Sequence, residues 1–197
     1  TAGDGGDAGG DGSPPDKQTC ATLGDAGVYF CEDFEGKTFP PTTLQPQGSI
    51  GELDGVLDPT AEGAAVGNHV FRARGVAGTL FDKYLDADLD LPPSFEARFQ
   101  IRAGNGKSFD ATAYVMAVKL ECGAGRAFGV VFDSRGLSFQ FDDNDGDFEG
   151  FAKDARWHPV IVKIADAESS VTFEDGIEHR VPRSFTARSC TLRIGAY

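Results

Sequence analysis

The chain holds a single methionine and a single tryptophan, and no apolar run approaches the roughly 20 residues that a membrane-crossing helix needs. No window keeps apolar residues at i, i+3 and i+4 over three turns, so helices of any length are not expected. Basic residues are scarce as well: 18 Lys and Arg stand against 31 Asp and Glu, a formal net charge of -13, with no local Lys/Arg cluster to offset it. Such a surface repels a phosphate backbone at long range, which removes nucleic acid from the expected partners. There is no secretory leader, although the sequence opens on Thr1 rather than methionine, so this says nothing of the translated N-terminus. No GxSxG string offers a nucleophile, and the three histidines fall within strand-like runs, as packing and hairpin residues rather than general bases.

What is present begins with four cysteines, an even number with no CxxC and no neighbouring histidine to complete a zinc pattern. Two disulfides are the simplest reading, with four buried thiols as the competing one. Of the three connectivities, Cys20 with Cys31 and Cys122 with Cys190 is favoured, the first closing a short loop at the domain entrance and the second stapling a middle strand to the last. On the loop-entropy account the two would contribute roughly 3 and roughly 4 kcal/mol. They imply an oxidising compartment and an extracytoplasmic protein.

Before Cys20 the chain contains only small and polar residues, and it cannot bury enough surface to offset the entropy of ordering. Residues 1–19 therefore read as a disordered Gly/Asp-rich linker with a reach of roughly 25 Å. Its composition is similar to the spacer behind the lipidated cysteine of bacterial surface lipoproteins, so a lipid anchor upstream is an expectation. Residues 20–197 are of a length for one β-sandwich with one core.

In that region the period is two. Phe95, Ala97, Phe99 and Ile101 alternate with Glu96, Arg98, Gln100 and Arg102, as in a half-buried strand. Tyr114 to Leu120 continues the alternation, and Phe128–Phe132 and Leu137–Phe141 flank the turn Asp133-Ser134-Arg135-Gly136. From Trp157 a strand leads through Ile164 into Val171 and Phe173, a hairpin closed by Asp175-Gly176, and Ile177 to Val181; Leu192, Ile194 and Ala196 follow. Earlier strands are expected over 28–34, 51–57, 68–74 and 79–85. About eleven short strands and 16 phenylalanines suit an all-β antiparallel β-sandwich, a jelly roll whose sheets lie ~10 Å apart around flat rings.

The strings VYFCEDFEG, FEARFQIRA, AFGVVFDSRGLSFQF and WHPVIVKI followed by VTFEDGIEHRV resemble the concanavalin A-like lectin/glucanase superfamily, in particular its laminin-G-like branch. The resemblance implies ligand binding at the cell surface, of glycans or of proteins, and one more strand after Tyr197. Glycoside hydrolases of the superfamily carry ExDxE on one strand, which places carboxylates on one face. Here the nearest strings, Glu32-Asp33-Phe34-Glu35 and Glu174-Asp175-Gly176, put adjacent carboxylates on opposite faces. The alginate-lyase relatives need an Arg/Gln/His/Tyr set; Arg98, Gln100 and Arg102 share a face, but no histidine or tyrosine accompanies them in a recognisable pattern. That face reads as solvated alternation or as a glycan-contacting surface.

One loop carries metal-ligand chemistry. Asp142, Asp143, Asp145 and Asp147, with Asn144 and Glu149, cluster in FDDNDGDFEG, where oxygens converging at about 2.3–2.6 Å would hold calcium; turn chemistry with solvated carboxylates is the alternative. A second acidic row, Asp82, Asp86, Asp88 and Asp90, alternates along LFDKYLDADLDL and lines one face of a strand. The expectation is thus a non-catalytic binding domain for carbohydrate, with calcium assisting and Phe148 or Phe151 stacking on the sugar. A protein-binding adhesion module is the runner-up, and a divergent glycan hydrolase or lyase the third reading.

Overall fold

The computed structural model describes residues 20, 27–28, 30–32, 34, 39–57, 69–74, 82–102, 115–123, 125–132, 136–141, 148–151, 156–165, 167–182 and 189–196. Their regular structure is thirteen β-strands: β1 Gln45–Ile50, β2 Glu52–Leu57, β3 His69–Arg74, β4 Asp82–Asp90, β5 Phe95–Ile101, β6 Val115–Cys122 and β7 Gly125–Phe132, then β8 Leu137–Gln140, β9 Phe148–Phe151, β10 His158–Ile164, β11 Glu168–Thr172, β12 Glu178–Pro182 and β13 Ser189–Ala196. None of the described residues belongs to a helix long and apolar enough to cross a membrane. The linker expected over residues 1–19 lies outside the described residues.

Two antiparallel sheets face each other. The larger has seven strands in the order β1-β4-β13-β6-β7-β8-β9, the smaller four in the order β12-β11-β10-β5, and β2 pairs with β3 as a separate hairpin. Alternation fixes which side of each strand turns inward. On the seven-stranded sheet the inward row includes Leu85, Leu120, Phe128, Val130 and Phe139; on the four-stranded sheet it includes Phe99, Val160, Val162 and Val171. The rings stack across the gap, Phe99 on Phe128 at 6.3 Å and Phe128 on Phe139 at 5.7 Å, with Phe141 edge-on to Phe139 at 4.9 Å. Offset and edge contacts of this kind add about 0.5–1.5 kcal/mol each to simple burial.

Several expectations need revising. Val28–Phe34 holds no strand among its described residues; instead Glu32 accepts from the Phe34 amide at 2.8 Å and the Thr43 hydroxyl at 2.7 Å, while the Phe34 ring stacks on Phe71. The strand expected over 79–85 runs on to Asp90, which brings the whole acidic row into β4. β1 and β9 were not expected. β1 carries Pro46 and Gly48, both signals against a central strand, and it is indeed an edge strand, where a missing N–H costs nothing to the ladder.

β13 lies between β4 and β6, bonded on both sides. Cys190 stands directly opposite Cys122 in that ladder, and the disulfide joins them across a Cα separation of 4.1 Å. The second bridge links Cys20 to Cys31.

Candidate functional site

The β11–β12 hairpin shows how local sequence shapes the surface. Thr172 pairs with Glu178, leaving a five-residue loop in which the Gly176 amide donates to the Phe173 carbonyl at 3.0 Å. Asp175 accepts from the Ile177 amide at 2.9 Å, and Gly176 alone takes the left-handed φ of 73°. At the base of this loop His158, 4 % exposed, holds Glu174 through Nδ1 at 2.8 Å. Arg156 is 3.6 Å from the same carboxylate, so Glu174 ties the loop to the start of β10.

Arg98 and Gln100 are exposed on the outer side of the four-stranded sheet, opposite Ile161 and Pro159 in register. Arg98 pairs with Glu96 two residues away. Arg102, just beyond β5, lies over the Trp157 ring at 4.7 Å and is thereby separated from the other two in role. The same sheet face carries Arg180, bonded to Glu168 at 2.8 Å and to Glu178, which also accepts from the Ser170 hydroxyl at 2.7 Å. These hydrogen bonds, Ser170 first and Arg180 second, hold the Glu178 carboxyl below its ordinary pKa, and Glu178 in turn raises Arg180. Arg98 and Arg180 on this face are both paired with neighbouring carboxylates.

Asp142, Asp143, Asp145 and Asp147 lie outside the described residues. Among the described residues no group of three His, Cys, Asp or Glu side chains is placed to hold a metal. Phe148 and Phe151 occupy backbone positions of β9 opposite Phe139 and Leu137, two residues of the core row.

The more structured polar surface is the outer side of the seven-stranded sheet. Register and alternation bring Gln47 of β1, Tyr84, Asp86 and Asp88 of β4, Thr191 and Arg193 of β13, Lys119 and Glu121 of β6, and Ser138 and Gln140 of β8 to that side. Glu121 is the hub. One of its oxygens takes Lys119 and the other takes Arg193 Nη1 at 2.8 Å. The Arg193 guanidinium also lies 5.3 Å from the centre of the Tyr84 ring, while its Nε is buried with no acceptor. Next to it the Thr191 hydroxyl donates to Asp88 at 2.9 Å, and Gln47 reaches Asp86 at 3.4 Å.

Gly195 is what lets β13 pass this close to Tyr84. A Cβ at residue 195 would come within 2.5 Å of the Lys83 carbonyl oxygen and of Tyr84 Cα, so only glycine admits this approach of β13 to β4. Toward β7 and β8 the floor closes: Val131 is fully buried, and Ser138, 3 % exposed, has a hydroxyl without a partner. The acidic row of β4 was visible in the sequence; its juxtaposition with Arg193, Lys119 and Glu121 was not, because three strands far apart in sequence build it.

No family model matches the chain, and no curated protein sequence matches it. Among solved structures the chain is similar to alginate lyase AlgAT5 from polysaccharide lyase family 7, with a TM-score of 0.37 and 9 % identity. The match covers 58 % of this chain and 65 % of that one, so the chain spans just under two thirds of the lyase. At that score the likeness carries no argument for activity, and what this chain shows plainly is a two-sheet antiparallel β architecture with two disulfides.

Proposed function

We propose that this is an extracytoplasmic carbohydrate-binding domain whose ligand lies across the outer side of the seven-stranded sheet. One observation carries the reading: the Arg193 guanidinium lies over the Tyr84 ring of the adjacent strand, with an unsatisfied buried Nε–H and a row of carboxylate and hydroxyl groups around them. Sugars ask for this combination, an aromatic face for their C–H surfaces and fixed polar groups for their hydroxyls. Held on strands and braced by Glu121, the polar groups lose little freedom when a ligand docks.

Two disulfides support an oxidising location. Calcium held by the Asp142–Asp147 loop belongs to the same proposal, and a rise in melting temperature with calcium, reversed by EDTA, is its expected signature.

The test is a glycan-array screen of the intact chain beside Tyr84→Ala and Arg193→Ala, with near-ultraviolet circular dichroism to show that each variant is folded. Folded variants that lose binding about tenfold or more support the site. Unchanged binding by both would move the site elsewhere. Appearance of reducing ends or unsaturated sugars would instead identify an enzyme, and capture of a surface protein with no sugar bound would favour the adhesion reading.

A further inference from the structure

We infer that the ligand of this face is an uncharged, hydroxyl-rich glycan and that the face rejects polyanionic ones, an inference that rests on the carbohydrate reading above. Its ground is the balance and the commitment of charge. Among the described side chains the outer side of the seven-stranded sheet carries five carboxylates, Asp82, Asp86, Asp88, Asp90 and Glu121, against two cations, Lys119 and Arg193. From Asp86 to Asp90 the aspartates of β4 recur at every second residue, about 6.8 Å apart.

An anionic sugar needs a free guanidinium fork or a free ammonium group. Among the described side chains neither is on offer. Glu121 takes both cations, one on each oxygen, and Asp86 is the direct cross-strand neighbour of Arg193. A carboxylate or sulfate would have to displace Glu121, then sit beside Asp86 and Asp88, and the formal net charge of -13 would oppose its approach over a longer range.

A hydroxyl group meets no such obstacle. It accepts from the Arg193 Nε–H, which is buried and lacks an acceptor, and at the same time donates to an aspartate oxygen. Ser138 repeats the pattern deeper in the row. It is 3 % exposed, faces away from the core row of Leu137 and Phe139, and keeps an unpartnered hydroxyl that could serve only a polar group or a water. Donors that are single and neutral or already half-spent, facing an excess of acceptors, suit hydroxyls rather than anions.

The experiment compares neutral hexasaccharides (cello-, xylo-, manno-, malto- and laminari-series) with oligoguluronate, oligogalacturonate and a heparin hexasaccharide on one array, at low and at physiological ionic strength. Expected is binding of at least one neutral series that exceeds every anionic probe by about tenfold or more and changes little with salt. The folded double variant Asp86→Asn/Asp88→Asn should narrow that gap by raising retention of the anionic probes. Salt-sensitive binding of an oligouronate or of heparin equal to or above the neutral series overturns this inference and leaves the carbohydrate reading standing. Failure of every probe with the intact chain removes the carbohydrate reading, and this inference with it.

Discussion

Single residues in this protein divide into those whose polar atoms are satisfied and those whose atoms are not, and the two behave differently on substitution. Ser169 is fully buried on the inward row of β11 beside Val171, with a hydroxyl that has no partner. A buried hydroxyl left unpaired costs about 1–3 kcal/mol, so Ser169→Ala should raise stability by about 1 kcal/mol in urea unfolding. Glu178 is the opposite case. Its folded-state pKa is lowered by the Ser170 hydroxyl and then by Arg180, so its contribution is present above the unfolded pKa and disappears as pH falls through the lowered one. The stability difference between the native chain and Glu178→Gln should therefore be largest at neutral pH and shrink as the pH falls below the ordinary carboxylate range; because the side chain is still partly exposed, solvent screening keeps the effect small. A difference that grew on acidification would contradict the assignment of those hydrogen bonds.

At the scale of strands, Gly195 joins architecture to the proposed site. Gly195→Ala places a methyl group against the backbone of β4, which cannot yield as a side chain would, and should cost about 1–3 kcal/mol. It should also disturb Tyr84 and weaken sugar binding in a protein that remains folded at low temperature, a coupling that titration of both properties would reveal. The Cys122–Cys190 bridge spans 68 residues, and by the loop-entropy relation the paired Cys122→Ala/Cys190→Ala change should cost roughly 4 kcal/mol, read from thermal or urea melts.

Strand period was legible where one side of a strand is buried and the other is polar: β5 and β8 alternate apolar and polar residues without interruption, whereas Val131 in β7 and Ile161 in β10 interrupt the pattern. β1 was not legible. Its outer-edge position tolerates Pro46 and the left-handed Gly48, so burial leaves no imprint on its sequence. β9 was hidden within an acidic loop reading, since four residues are too few to show a period.

For the whole molecule, the lesson concerns pairing rather than pattern. That Asp82, Asp86 and Asp88 share a side followed from spacing alone, and the disulfide partners followed from loop length and strand position. Which cations would meet those aspartates did not, because Arg193 reaches β4 from more than a hundred residues away and Lys119 reaches Arg193 across a second pairing. The same non-local wiring makes the seven-stranded sheet a slow element to assemble, since each long loop must close before its ladder stabilises anything.

β13 is later in the chain than every strand it joins, and it is the one that separates and connects β4 and β6. During synthesis those two strands have no native means of becoming part of one sheet until Ser189–Ala196 has been made, and Cys122 has no native partner until Cys190 arrives. Nascent chains of increasing length, probed with a thiol-reactive label, should therefore keep Cys122 reactive through Pro182 and lose that reactivity in one step once β13 is available. The assembly of the sheet and the covalent lock upon it are thereby made a single late event, timed by the order in which the polypeptide is written.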